Sequence, residues 1–183
     1  MDLDFDVVAL EPADPPAVGE PAPDVTRPLV TPEYWEDVAL AELTAGGPVL
    51  LVFHPMDGAF PTTYIWQEIT ERGWGDRLAV VGVSISDPYA HKQLIRDRGL
   101  ESGDYALYSD PANDVAEAYG VTHALDGMAG VVEPRPAVFL VDTDRTVRYA
   151  WAAAEWPAFP DYDAVEAAID ELLDEDASAP ATD

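Results

Sequence analysis

The chain has 183 residues, 36 of them acidic and 9 basic, which gives a formal net charge of −27 at pH 7. This excess of negative charge excludes the basic surface that nucleic acids and anionic membranes require. Hydrophobic residues form 48% of the sequence, too large a share for a disordered chain. Length and composition therefore indicate one globular domain with a sizeable core and an acidic surface.

The first half of the chain contains one clear strand and one clear helix after a proline-rich start. Residues 1–18 are rich in proline and acids and form a predicted extension, with room for a short strand in Asp4–Leu10. Trp35–Leu43 has a helical or turn-like pattern. The unbroken apolar run Val49–Phe53 is typical of a central parallel strand. Apolar residues at helical spacing predict a helix over Thr63–Arg72, which Gly73 ends.

Strand and helix patterns continue to alternate after this helix. Leu78–Ile85 reads as a strand, and Asp87 is placed to cap a helix over Tyr89–Arg98. Tyr105–Tyr108 then predicts a short strand, and Pro111–Tyr119 a helix that ends at a glycine.

The last third of the chain predicts a hairpin and an amphipathic helix. The strands Ala137–Val141 and Val147–Trp151 are joined by the turn Asp142–Arg145. Asp161–Leu173 places its apolar residues on one helix face, and Asp174–Asp183 is predicted to be a disordered acidic tail. This element order predicts an α/β thioredoxin-like domain over residues 19–173, with a mixed central sheet and helices on both faces.

The joint between the Val49–Phe53 strand and the next helix carries a recognisable motif. Pro55, Ala59 and Thr62 fall where peroxiredoxins have a proline, a threonine and the peroxidatic cysteine. Two further segments, residues 19–24 and 108–121, are similar to two other sequence motifs of the same family. Their order and spacing along the chain also match. The chain therefore resembles the peroxiredoxin-like (AhpC/TSA-type redoxin) family over most of its length.

The departures from this family pattern bear on function. The chain has no cysteine, and Thr62 and Ala59 stand in for the family's Cys and Thr. The position of the family's activating arginine, three residues before Phe139, is held by Pro136, and Arg135 lies one place earlier. Peroxide reduction requires a thiolate that becomes a sulfenic acid, which a threonine hydroxyl cannot replace. The resemblance thus implies a remnant pocket without thiol peroxidase activity, and we expect neither a metal nor another cofactor.

Two functions remain open for the remnant pocket. The first is a non-catalytic binding or structural role. The alternative is an enzyme of another class that uses the pocket without thiol chemistry, and a base such as His54 within reach of Thr62 would favour it. Our interpretation of Thr62 is an N-cap hydroxyl, and that of His54 is a hydrogen-bonded structural histidine.

Other polar residues have structural interpretations as well. Asp57, Asp87 and His91 raise the question of a metal site, but their spacing lacks a metal signature and favours a cap and a solvated face. Arg135 could pair with a carboxylate or an anionic ligand, or form a surface ion pair. For the Arg135–Pro136 bond we hypothesise a cis peptide, with a trans edge proline as the alternative.

The composition also bears on partners and environment. We expect a homodimer or a protein partner, with a small anion at the remnant pocket as a further candidate ligand. No apolar run is long enough for a membrane span, and no signal-peptide pattern is present, so the expected location is the cytoplasm. An acidic surface with one lysine and eight arginines is typical of a cytosol rich in salt, which predicts a halophilic source.

Folding should depend on ionic strength. Because the net charge is −27, repulsion at low salt should lower the thermal midpoint, and molar KCl should raise it by screening. Thermal unfolding followed by circular dichroism from dilute buffer to molar KCl measures the effect. An unchanged midpoint over this range would argue against the halophilic prediction.

Overall fold

The computed structural model describes residues 6–124 and 128–178. It contains eleven strands in this part of the chain. The strands in chain order are β1 (Val8–Ala9), β2 (Thr26–Val30), β3 (Trp35–Ala39), β4 (Val49–Phe53), β5 (Ala79–Ser84), β6 (Tyr105–Ser109), β7 (Thr122–His123), β8 (Glu133–Pro134), β9 (Ala137–Val141), β10 (Val147–Ala152) and β11 (Glu155–Trp156).

The helices connect these strands. They are α1 (Leu40–Gly46), α2 (Phe60–Glu71), α3 (Pro88–Arg98), α4 (Asp114–Ala118) and α5 (Tyr162–Ser178), with a 3₁₀ turn at Trp74–Asp76. No helix within the described ranges is long and apolar enough to cross a membrane.

Seven of the strands form one mixed sheet in the order β10-β9-β4-β5-β6-β2-β3. The inner strands β4, β5 and β6 are parallel, whereas β9 pairs antiparallel with β4. The predicted strands Val49–Phe53 and Ala137–Val141 are therefore neighbours in the sheet, and Phe53 lies opposite Ala137 at the end of β4. This register brings the residue before β9, Pro136, to the sheet end from which the β4–α2 loop leaves.

Helices cover both faces of the sheet, as predicted. On one face, α2, α3 and α5 bury residues such as Trp66, Ile95 and Ile169 against alternate strand positions. On the other face, α1 and α4 pack Leu40 and Val115 against the remaining strand positions. All five side chains of β4 are buried, which explains why its sequence is a continuous apolar run.

The segment before β2 is attached to the body of the protein. β1 pairs with β11 at the far end of the chain, and the backbone amide of Asp14 donates to the Gly120 carbonyl. Gly120 has φ +65°, and a Cβ built there would lie 2.2 Å from the Asp14 carbonyl oxygen. The close approach of these two backbone segments thus requires a glycine at position 120.

Several predicted elements differ from the structure, among them helix α4, which spans Asp114–Ala118 rather than Pro111–Tyr119. The segment Trp35–Leu43 is not one helix or turn, because its first half pairs antiparallel with β2 as the edge strand β3 and only the rest is helical. Helix α2 begins at Phe60 rather than Thr63, since Pro61 fits the first turn of a helix. The predicted disorder from Asp174 is corrected, because α5 continues to Ser178, and residues 179–183 lie outside the described chain.

The Gly120 contact predicts the effect of a single methyl group. Gly120→Ala should lower the free energy of unfolding by more than about 2 kcal/mol, because a left-handed backbone strain and a steric overlap with Asp14 act together. Gly99→Ala is the matched control, because Gly99 has φ +67° but open space around its Cβ position. It should cost only about 1–2 kcal/mol. Equal losses for both variants in urea unfolding would show that the Asp14 contact contributes nothing.

Candidate functional site

The loop between β4 and α2 holds Thr62 inside the protein. Thr62 is fully buried in the first turn of α2, and its hydroxyl donates to the carbonyls of Met56 (3.0 Å) and Pro55 (3.4 Å). The N-cap of α2 is Ala59, which has no side-chain oxygen to offer. The interpretation of Thr62 as the N-cap is therefore wrong: its hydroxyl donates back to the loop rather than accepting from the helix.

His54 directly follows β4 and is also fully buried. Its Nδ1 atom lies 2.7 Å from the Pro55 carbonyl oxygen and 3.5 Å from the Thr62 hydroxyl. Because a carbonyl only accepts, we assign the ring proton to Nδ1. The other nitrogen, Nε2, has no hydrogen-bond partner among the described residues, and the ring meets the Trp66 ring edge-on with centroids 5.8 Å apart. Burial lowers the pKa of His54 to about 4, with a contribution from His91 that Asp57 opposes.

Asp57 and His91 form a buried polar pair beside this loop. His91 Nδ1 lies 2.7 Å from one carboxylate oxygen of Asp57, and its Nε2 lies 3.1 Å from the Tyr108 carbonyl oxygen. Both ring nitrogens of His91 thus lie within hydrogen-bond distance of an acceptor oxygen. The Ser84 hydroxyl donates to the second carboxylate oxygen of Asp57 at 3.0 Å. Burial favours the neutral carboxyl, but the hydrogen bond from His91 leads the interactions that lower the pKa of Asp57.

The structure corrects the prediction for His91 and confirms that for Asp87. His91 does not lie on a solvated face, because its side chain is fully buried against Asp57. Asp87 is the N-cap of α3, as predicted, and accepts from the backbone amides of Tyr89 and Ala90. Within residues 6–124 and 128–178, no group of three His, Cys, Asp or Glu side chains could hold a metal ion.

Arg135 is buried away from Thr62. Its guanidinium donates to three backbone carbonyls: Glu11 (2.8 Å), Ala153 (3.1 Å) and Thr122 (3.3 Å). Arg135 thus contacts carbonyl oxygens instead of the predicted carboxylate or anionic ligand. The alternative of a surface ion pair is also wrong, because Arg135 is only 2% exposed. Burial lowers its pKa. Arg135 is an even number of residues from Phe139, whose side chain packs on the sheet face opposite α2. Because side chains two or four residues apart point to the same face, the Arg135 side chain also points to that face.

Pro136 lies at the same sheet end as the β4–α2 loop and is buried. The hypothesis of a cis Arg135–Pro136 bond is wrong, since the cis peptide bond of the described chain is Trp156–Pro157. The backbone of Pro136 instead accepts a hydrogen bond from the amide of Ala153.

The structure brings only part of the predicted pocket together. Pro55, Ala59 and Thr62 share the β4–α2 loop and the first turn of α2, whereas the side chain of Arg135 is bound elsewhere. A cavity of about 330 Å³ opens beside the loop, between α2 and α3, lined by Asp57, Gly58, Thr63, Ala90, Gln93, Leu94, Asp97 and Arg98.

Sequence reasoning missed the residues that hold the loop in place. The backbone amide of Met56 donates to the buried Glu133 carboxylate at 3.1 Å, and that of Asp57 donates to the Ser86 hydroxyl at 2.9 Å. The partners lie 77 and 29 residues apart in the chain, so no local spacing could have revealed these contacts.

Comparison with known proteins places this arrangement in a family. The AhpC/TSA family profile matches residues 18–150. A Synechocystis protein that carries a peroxiredoxin name is 28% identical over 147 residues, which cover 73% of this chain and 67% of that protein. Alkyl hydroperoxide reductase C of Buchnera aphidicola is 26% identical over 72% of this chain and 69% of its own length.

Solved structures agree with the fold. A reduced 2-Cys peroxiredoxin of Plasmodium vivax superposes with a TM-score of 0.69 at 19% identity, over 87% of this chain and 98% of that one. This likeness confirms the predicted α/β thioredoxin-like fold. Because the family match spans well over half of the 183 residues, the chain belongs to the AhpC/TSA family, as a member without cysteine.

Proposed function

We propose that this chain is a non-catalytic binding or structural member of the AhpC/TSA family. Reduction of a peroxide by a family-type site begins when a thiolate attacks the O–O bond and becomes a sulfenic acid. The sequence contains no cysteine to form or to resolve that intermediate. A hydroxyl at position 62 is hardly ionised at neutral pH and has no comparable two-electron oxidation, so it cannot take over this chemistry.

The hydrogen bonds of Thr62 carry the proposal. Its hydroxyl proton goes to the loop carbonyls of Met56 and Pro55, and the nearest imidazole nitrogen, His54 Nδ1, donates its own proton to Pro55. A general base needs a free lone pair directed at the nucleophile. His54 Nδ1 lacks one, even though it lies 3.5 Å from the hydroxyl. The alternative, an enzyme of another class built on Thr62, therefore receives no support from this geometry.

The ligand of such a binding protein is better sought among proteins than among small anions. Arg135, the cation expected at the pocket, donates to backbone carbonyls instead. The cavity beside the loop offers Arg98, but the carboxylates of Asp57 and Asp97 line it as well and oppose an anion. A second copy of the chain or a different protein is the partner we propose.

The proposed setting is the cytoplasm of a halophilic organism. The few cations support this assignment because most of them are used in ion pairs: Arg27, Arg72, Arg77, Arg145 and Arg148 all lie within 4.0 Å of carboxylates. Because 36 acidic residues face only 9 basic ones in the sequence, most carboxylates cannot have a cation of their own, and molar salt screens the repulsion among them.

The purified protein should not consume peroxide. With thiol reductants present, the rate should equal that of a blank without protein, because no thiolate can form. Ferrous-oxidation assays with hydrogen peroxide and an organic hydroperoxide provide the measurement. A rate comparable with that of a true peroxiredoxin would overturn the proposal.

Thr62→Cys should restore a slow reaction with peroxide, because the N-terminus of α2 remains to lower the thiol pKa. The expected product is a sulfenic acid at position 62, detectable by mass spectrometry after trapping. Thr63→Cys is the matched control on the next residue, whose hydroxyl accepts from Arg98 rather than facing the loop. A Thr62→Cys variant that reacts with peroxide no faster than the wild type would contradict the alignment of Thr62 with the peroxidatic position.

The buried neutral His54 predicts a pH dependence of stability. The pKa of His54 is about 4 in the folded state and 6.5 in the unfolded chain. Between these values only the unfolded chain binds the proton, so the free energy of unfolding falls as the pH is lowered from 6.5 towards 4. This contribution reaches about 3 kcal/mol at full extent.

His54→Phe should remove that part of the pH dependence, measured by urea unfolding at pH 7, 6, 5 and 4. A direct NMR titration of the His54 ring serves where the variant folds poorly, and the ring should stay neutral down to about pH 4. A protonation midpoint near 6.5 in the folded protein would refute the assignment.

A further inference from the structure

The outer face of α2 carries exposed aromatic rings. Phe60, Tyr64 and Phe159 are 41%, 46% and 39% exposed. Their rings contact one another in series, with centroids 4.8 Å apart for Phe60 and Tyr64 and 6.3 Å apart for Tyr64 and Phe159. They belong to the surface that faces solvent, not to the buried loop around Thr62.

A cleft of about 360 Å³ lies beside these rings. Its walls are Tyr64, Gln67 and Glu68 of α2, Phe159 in the loop before α5, and Tyr162 at the start of α5. We name these five residues the aromatic cleft. Three of the five are aromatic, and the volume suits a small molecule rather than a peptide.

The charges around the aromatic cleft are mainly negative. Four carboxylates, those of Glu68, Asp163, Glu166 and Asp170, form ion pairs with only two guanidinium groups, those of Arg72 and Arg77. The local excess is two negative charges, on a protein whose net charge is already −27. An anionic ligand would be repelled at both short and long range.

The protein itself already places a cation on one wall of the cleft. The guanidinium carbon of Arg72 lies 5.7 Å from the centroid of the Tyr162 ring, within the range of a cation–π contact. The rings of Tyr64 and Phe159 are exposed and have no such cation against them in the described chain. They are the faces that a ligand could use.

We propose that the aromatic cleft binds a small organic cation of the quaternary ammonium class. Aromatic faces attract such cations through their quadrupole, and methylated ammonium groups lose little hydration when they contact a ring. The surplus carboxylates add attraction at longer range. This site is separate from the Thr62 loop and does not depend on whether that loop is catalytic.

Tetramethylammonium chloride is the probe, titrated against the full-length protein while ring signals of Tyr64 and Phe159 are followed by NMR. Sodium chloride at equal ionic strength controls for screening, and tert-butanol controls for an uncharged group of similar shape. We expect saturable shifts at the cleft rings with tetramethylammonium alone. Shifts of equal size with sodium chloride or tert-butanol would overturn the proposal.

Variants test the location of the site. Tyr64→Leu and Phe159→Leu should each weaken the apparent affinity about twofold to fivefold, and the double variant should lose saturable binding. Tyr89→Leu is the matched control, because Tyr89 is a 73% exposed tyrosine on α3 outside the cleft, and it should bind as the wild type does. Circular dichroism and the thermal midpoint verify that each variant is folded.

Two further results would contradict the assignment. Equal weakening by Tyr64→Leu and Tyr89→Leu would show general adsorption to aromatic surface. A peptide containing trimethyl-lysine that binds more tightly than the free cation would show that the ligand is part of a protein rather than a small molecule.

Discussion

The burial of β4 on both faces is the constraint on which the candidate site depends. Its alternate side chains enter the two cores on opposite sides of the sheet, so the strand can pair in only one register with β5 and β9. Because His54 continues the alternation of Leu50 and Val52, its ring enters the face covered by α2 and meets Trp66. The loop that follows must then turn back at Pro55 to start α2, which brings the Thr62 hydroxyl onto the loop carbonyls. The geometry around Thr62 is thus a consequence of how the central strand is buried.

Scarce cations play a second organising part. Helix α5 carries a row of carboxylates that form ion pairs with three arginines. These are Arg72 at the C-cap of α2, Arg77 in the segment that follows α2, and Arg148 of β10. Arg27 similarly ties β2 to the buried Asp110 and to Asp114 of α4. Each such pair is partly exposed and contributes modestly, so it is weakened by the same salt that relieves the repulsion among unpaired acids. Helices rich in acid still pack through their apolar faces.

Much of this architecture could be predicted from sequence, and the failures have identifiable causes. Continuous apolar runs such as Val49–Phe53 and Ala137–Val141 were located to the residue, because buried strands leave no polar positions. The edge strand Trp35–Ala39 was missed because exposed Glu36 and Asp37 hide its pattern, and only its pairing with β2 makes it a strand. Asp57 and His91 are both candidate polar residues in the sequence. Because 34 residues separate them, no spacing rule predicts that their side chains form a hydrogen bond. Arg135 lies one residue before the position of the family's arginine, which Pro136 holds. Because successive side chains alternate between the two faces of a sheet, this shift of one residue places the Arg135 side chain on the face opposite α2.

These contacts support the proposal that the loop has no catalytic role. A reactive site keeps a nucleophile with an unfilled hydrogen-bonding role and a base poised beside it. Here the Thr62 proton, the His54 Nδ1 proton, the Asp57 carboxylate and the Met56 amide are all engaged by neighbouring groups. The His91–Asp57 pair joins α3 to the loop, and removal of either partner would leave the other without this hydrogen bond. A loop held this firmly gives α2 a fixed position, and with it the aromatic rings on the outer face of that helix. In the proposed function the family scaffold serves as a rigid support, and the proposed cation site lies on the outer surface of α2 rather than at the start of that helix.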